Sequence, residues 1–132
     1  MTSQGLDVLD EAECFALLGS RTLGRVGVRI ADDFVIFPVY YTVVDNAVVL
    51  RTSPGTKLSA AILGTRVVFE VDSASPGWSV LVRGHAHEIR EHDEQVRTRD
   101  LLGDDWPADP RHFYVRIPVE KVTGRRLSSR SD

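Results

Sequence analysis

Between residues 51 and 57 the chain gathers two cations and three hydroxyls around a glycine, in the order Arg51-Thr52-Ser53-Pro54-Gly55-Thr56-Lys57. Such a set suits an anion, and above all a phosphate. Arg51 offers a bidentate fork, Lys57 a compact positive charge, and Thr52, Ser53 and Thr56 neutral donors. Gly55 lets the backbone approach a ligand closely. The apolar Val48-Val49-Leu50 before this loop reads as a strand, and the residues after it as a helix. Thr56 is placed to cap that helix, whose first N–H groups and positive dipole end then face the same spot. One dianionic phosphate, as carried by a phosphorylated cofactor, fits this chemistry. The same residues also suit a plain strand–loop–helix connection, which needs turn formers and a cap whatever it binds.

Other reactive side chains give weaker patterns. His85 and His87 stand two apart on one strand, with Glu88 beside them and His112 elsewhere. Two histidines on one face bind zinc only when a third ligand arrives, and no spacing supplies it. Exposed polar positions account for them better, and no metal is expected. Gly77-Trp78-Ser79-Val80-Leu81 lacks the second glycine and following helix of a nucleophile elbow. Neither a glycine-rich dinucleotide fingerprint nor a Walker-type loop is present. Asp104, Asp105 and Asp109 lack the spacing and glycine of a calcium loop and read as a solvated connection. Cys14 is the single cysteine. It allows no intrachain disulfide, and its apolar neighbours Phe15, Leu17 and Leu18 predict a buried, inert thiol. No side chain stands out as a catalytic acid or base.

These groups need a scaffold, and 132 residues with 42% hydrophobic content suffice for one domain with a modest core. The net charge of −3 gives no reason to expect nucleic acid. The basic cluster Arg125, Arg126 and Arg130 reads as a solvated tail. No apolar run approaches the roughly 20 residues that span a bilayer. The opening Met-Thr-Ser-Gln-Gly-Leu-Asp has neither basic region nor apolar core of a signal peptide, so a cytoplasmic protein is expected. Residues 1–7 and 127–132 are expected to be flexible ends of a single domain covering 1–132.

Residues 8–18 predict a short helix, capped by Asp7 or Asp10 and closed by Gly19. Strands are predicted over 25–30, 34–44 and 47–51, joined by turns at Ala31-Asp32-Asp33 and Asp45-Asn46. The middle strand is apolar on both faces from Phe34 to Tyr41, which calls for a covering helix or subunit, or for a barrel. Pro38 within it cannot donate to a ladder, so one side is open there or bulged. Tyr40 and Tyr41 serve either a ligand ring or the core. A helix over 57–63, a strand over 66–72 and a turn over 74–77 follow. Residues 78–89 alternate as a strand, with Trp78, Val80, Val82, Gly84 and Ala86 on one face and Ser79, Leu81, Arg83, His85 and His87 on the other. A polar helix over 91–102, a loop over 103–110 holding Trp106, and strands over 113–117 and 119–126 complete the chain.

Many short strands with few helices predict a mainly β (α+β) fold, a small closed or partly closed barrel with a few short peripheral helices. A barrel this small is filled by its own side chains. Any cofactor must therefore lie outside it, and burying that cofactor needs a second subunit.

The ordered set Pro38-Val39-Tyr40-Tyr41, Leu50 to Leu58, Val68-Phe69-Glu70-Val71-Asp72 and Trp78 to Gly84 resembles the pyridoxamine 5'-phosphate oxidase-like, FMN-binding split β-barrel family. The resemblance covers most of residues 10–125. It implies a homodimer with flavin in grooves along the subunit interface, and an oxidoreductase passing a hydride or electron to a small organic molecule. By position, Arg51, Thr52, Thr56 and Lys57 would hold the FMN phosphate. Backbone around Pro38, Val39 and Tyr40 would meet the isoalloxazine, Ser79 would reach its edge, and Trp78 would line the groove. The oxidases end in a Trp followed by an Arg-x-His signature that grips their substrate. This chain ends Thr123-Gly124-Arg125-Arg126-Leu127-Ser128-Ser129 instead, so oxidation of pyridoxamine phosphate is not expected. Related barrels use a deazaflavin or haem. The resemblance therefore leaves two alternatives: a non-catalytic protein that sequesters flavin or haem, and a deazaflavin-dependent reductase.

Overall fold

A computed structural model describes residues 7–102 and 112–127. The elements are β1 (Asp7–Val8), α1 (Glu11–Leu18), β2 (Leu23–Ile30), β3 (Asp33–Val44), β4 (Ala47–Thr52), α2 (Lys57–Ile62), β5 (Arg66–Ala74), β6 (Gly77–His85), β7 (His87–Glu88), α3 (His92–Leu102), β8 (Phe113–Pro118) and β9 (Lys121–Arg126). The strands form one curled sheet in the order β1-β9-β6-β5-β2-β3-β4-β8-β7, antiparallel throughout. Among the described residues this is a mainly β fold with three short helices, the partly closed barrel that the strand pattern predicts and the split barrel that the resemblance implies.

Alternation along the strands decides which face is buried. Val67, Phe69 and Val71 of β5 and Trp78, Val80 and Val82 of β6 turn inward, together with Val26 and Val28 of β2 and Val39 and Tyr41 of β3. Tyr41 meets Phe69 edge-on at 4.7 Å and donates its hydroxyl hydrogen to the Leu18 carbonyl. That bond ties α1 to the barrel. Asp45 and Asn46 carry φ of 51° and 59°, as a tight hairpin between β3 and β4 requires.

The curl closes through one bend. β6 pairs with β5 and β9, whereas β7, immediately after it in the chain, pairs with β8 at the far end of the sheet. Ala86 makes the corner and donates its N–H to Thr65 O at 3.0 Å. Glycine is required beside it: a Cβ on Gly84 would lie 2.2 Å from Pro118 O. The strand predicted over 78–89 is therefore two strands belonging to opposite ends of the sheet.

Two further boundaries differ from the sequence expectation. α1 starts at Glu11, because Asp7 and Val8 are taken up by pairing with Arg126 and Arg125. Asp10 is the cap: its carboxylate accepts the Glu13 N–H at 2.8 Å, and Glu13 accepts the Asp10 N–H in return. Leu127, expected in a flexible tail, donates its N–H to Gly77 O at 2.8 Å. Trp106, Asp104, Asp105, Asp109 and Arg130 lie outside the described residues.

Candidate functional site

β3 is shared between the two halves of the barrel, and the way it is shared opens the site. From Asp33 to Tyr40 it pairs with β2, while its ladder with β4 runs only from Tyr41↔Leu50 to Val44↔Ala47. β4 continues beyond that ladder through Arg51 and Thr52, held on its other side by Tyr114 and Phe113 of β8. The two strands thus part company where Pro38, Val39 and Tyr40 face Arg51 and Thr52.

Backbone alternation fixes the direction of the polar groups there. Tyr41 N–H donates to Thr22 O at 2.9 Å, toward the β2 side. Three residues earlier, Pro38 must turn its nitrogen the opposite way, into the split. The missing N–H therefore costs no ladder bond. Of the two readings of this proline, an opening and a bulge, the register shows the opening.

Side chains divide just as cleanly. Val39 and Tyr41 are core, whereas Tyr40 is 54% exposed on the outer face. The two tyrosines, indistinguishable in sequence, thus have different surroundings. Thr52 is buried, Arg51 half-buried and Lys57 exposed. Gly55 adopts φ of 83° in the loop, a conformation in which a side chain is strained.

Thr56 is the helix cap, and both its functions there are local. Its Oγ accepts the Ser59 N–H at 3.0 Å and donates to Ser53 O at 3.1 Å, while Ser59 Oγ accepts the Thr56 N–H at 3.1 Å. α2 spans only Lys57–Ile62, too short for a large helix dipole. The positive field at the loop accordingly comes from Arg51 and Lys57.

Two predicted contacts lie elsewhere in the chain. Trp78 is 2% exposed, turned into the core, with the Arg21 guanidinium 5.6 Å from its ring centre. It packs rather than lining a surface groove, because its parity on β6 is that of Val80 and Val82. Ser79 is on the outer face, but the row Pro38–Arg25–Glu70–Leu81 shows β6 standing three strands from β3. At about 4.8 Å per strand, Ser79 is roughly 15 Å from the split within one chain.

The outer face between them is apolar at its edge and charged at its centre. Phe34, Ile36 and Tyr40 of β3, Leu23 of β2 and Val68 of β5 are all exposed. Among them Arg25 bonds to Glu70 and lies 2.9 Å from Asp72. Burial and the neighbouring Asp72 raise the Glu70 carboxyl above its ordinary value, outweighing Arg25, while the bond to Glu70 raises the guanidinium.

His85 and His87 do not converge on a common centre. His85 Nδ1 lies 2.6 Å from Glu120 Oε2, and this contact lowers the Glu120 carboxyl. His87 pairs with Arg116 on β8. Among the described residues no three His, Cys, Asp or Glu side chains are grouped to hold a metal. Cys14 is buried, its thiol raised first by burial and then by Asp10, Glu13 and Glu11. No helix among the described residues is long and apolar enough to cross a membrane.

A feature the sequence reading passed over lies beside Arg51. α3 covers the outer face of β4 and β8, where Val49, Ile89 and Tyr114 form a small second core. Between α3 and the start of β8 is a cavity of about 230 Å³ lined by His92, Gln95, Arg99, His112, Phe113 and Tyr114. His92, Gln95 and Arg99 are spaced i, i+3, i+7 on one helix face, the signal that would have found it.

Comparison with known proteins fits this geometry. A family model described as pyridoxamine 5'-phosphate oxidase matches residues 10–126. The uncharacterized protein Rv0080 of Mycobacterium tuberculosis is 36% identical over 128 residues, covering 90% of this chain and 84% of that protein. Among solved structures, the FAD binding protein from Mycobacterium smegmatis superposes with a TM-score of 0.84 at 33% identity, covering 92% of this chain and 99% of that one. An FAD-binding protein from Mesorhizobium loti gives a TM-score of 0.76 at 27% identity, covering 93% and 99%.

Proposed function

The chain belongs to the pyridoxamine 5'-phosphate oxidase family, and from that premise we propose that it binds a flavin through its FMN moiety. One observation carries this reading: β3 and β4 part where Pro38 and Tyr40 face a loop bearing Arg51 and Lys57. A phosphate on the loop leaves the flat ring system running along the split. Arg51 and Lys57 supply the charge, Gly55 keeps the loop clear of side chain, and Thr56 holds the loop by capping α2. Backbone around Pro38, Val39 and Tyr40 meets the ring.

The site is completed by a second copy of the chain. Ser79 reaches the ring edge only from a partner subunit, since its own chain holds it three strands away. The exposed row Phe34, Ile36, Tyr40, Leu23 and Val68 is the surface that this partner covers. When bound, the flavin supplies hydride or electron transfer to a small organic substrate. The chain's own residues place the cofactor, exclude water from one face of it and balance its phosphate charge.

The test is an absorbance spectrum of the purified protein before and after adding FMN and FAD, read again after gel filtration. Twin flavin bands that stay with the protein support the assignment. A Soret band would transfer the site to haem, and a protein that ignores both flavins would remove the proposal and leave deazaflavin to be tried. Turnover with reduced nicotinamide and an acceptor then separates an oxidoreductase from a protein that only sequesters its flavin.

A further inference from the structure

The outer face of the barrel holds one cation between two carboxylates. Arg25 of β2 is the register partner of Glu70 on β5, and Asp72 stands two residues further along the same face. The Arg25 guanidinium bonds to Glu70 and lies 2.9 Å from Asp72. One positive and two negative groups leave one negative charge over.

Around this triad the face is apolar. Pro38 is the β3 partner of Arg25, with Ile36 and Tyr40 on either side of it, and Leu81 of β6 is the partner of Glu70. Leu23 and Val68 flank Arg25 and Glu70 along their own strands, and both are exposed. No charged residue comes from β3 between Phe34 and Val44, where Tyr40 is the titratable neighbour. On β6 Arg83 is opposite Val68 rather than Glu70, and on β5 Arg66 is opposite His85. The charges that act on the Glu70 carboxyl are those of Arg25 and Asp72.

In the single chain water screens the excess, since the Glu70 and Asp72 side chains keep 30% and 49% exposure. A partner laid over Leu23, Ile36 and Val68 removes that water. An unmatched carboxylate beneath an apolar cover is costly, and in a two-fold dimer each subunit brings one. A proton on Glu70 removes the excess and leaves one carboxylate for one guanidinium. The single chain already leans that way: burial, and then Asp72, raise the Glu70 carboxyl.

We propose that the dimer takes up a proton at Glu70 of each subunit, so that the two-subunit flavin site assembles more tightly as pH falls. This rests on the dimeric reading above and adds its regulation. Covering Glu70 raises its carboxyl further in the dimer than in the monomer. The gain is therefore complete below the monomer's value and is lost as pH rises through the dimer's.

Sedimentation velocity on dilution series of the full-length protein, from about pH 5 to about pH 8, reads the dimer dissociation constant. That constant is expected to rise with pH by up to about tenfold per pH unit for each proton taken up. Glu70→Gln keeps an oxygen for Arg25 without the titratable group, and its dimer should hold the same affinity across the range. Asp72→Asn should flatten the dependence as well, because Arg25 then matches Glu70 alone. His85→Gln is the control: that histidine contacts Glu120 on the same face, and its loss should leave the wild-type dependence in place. Circular dichroism at each pH verifies that the variants are folded. A wild-type dimer of constant affinity, or a Glu70→Gln dimer that follows pH as the wild type does, overturns the proton linkage while the dimeric reading stands. A His85→Gln variant that loses the dependence moves the proton to that pair and overturns the assignment to Glu70. A chain that is monomeric at every pH with flavin bound removes the dimeric site and this proposal together.

Discussion

Lys57 and Thr56 are adjacent, yet the structure gives them separable duties. Lys57 is exposed in the first turn of α2, while the Thr56 hydroxyl is committed to Ser59 and Ser53. Lys57→Ala is expected to weaken flavin binding by about tenfold and leave the melting temperature of the ligand-free protein unchanged. Thr56→Ala should do the reverse in the ligand-free protein, costing about 1 kcal/mol of stability through the lost cap. Thermal melts combined with flavin titrations read both effects. Glu70 adds a pH dependence. Its carboxyl is raised by burial and by Asp72, so the folded state holds the proton more firmly than the unfolded chain. The associated stability is complete below the ordinary glutamate value and is lost as pH rises through the raised one. Glu70→Gln should therefore gain on the wild type as pH rises above the ordinary glutamate value, measured by paired melts at each pH.

At the level of elements, the decisive features are a bend and a parting. β6 and β7 turn from one side of the barrel to the other because Gly84 admits Pro118 O where a Cβ would meet it at 2.2 Å. The obstacle is backbone, which cannot swing aside as a side chain can. Gly84→Ala is expected to destabilise the fold by about 1–3 kcal/mol, visible as an earlier denaturant midpoint. Much of this level was legible in the sequence: the hairpin at Asp45-Asn46, the helix after Thr56 and the alternation of β5 and β6 are all local. The β6–β7 break was not, because alternation continues smoothly through Ala86 and only the distant strand β8 decides which partner each segment takes.

At the level of the whole molecule, the proposed site needs a second copy of the chain. The outer face leaves Phe34 74% and Ile36 68% exposed, beside a strand edge that opens into the split. On the proposed assembly this surface is the dimer contact. Ile36→Lys should then convert a dimer to a monomer in gel filtration with light scattering and release the flavin, although Ile36 touches neither the loop nor the α3 cavity. A wild-type protein that is monomeric while holding flavin would separate the cofactor from the assembly and refute the dimeric site.

Period, turn chemistry and charge in the sequence determined that this is a small, mainly β barrel with a cationic, hydroxyl-rich loop leading into a helix. Those properties are local: each depends on residues within a few positions of one another. Tertiary structure alone decided that Pro38 faces an opening, that Tyr40 is outside and Tyr41 inside, and that Trp78 belongs to the core. It also decided that Ser79 is remote from the loop and that His92, Gln95 and Arg99 meet Tyr114 beside Arg51. These facts depend on strand register, which is set by pairing between segments far apart in the chain. A shift of one residue there exchanges the two faces of a strand.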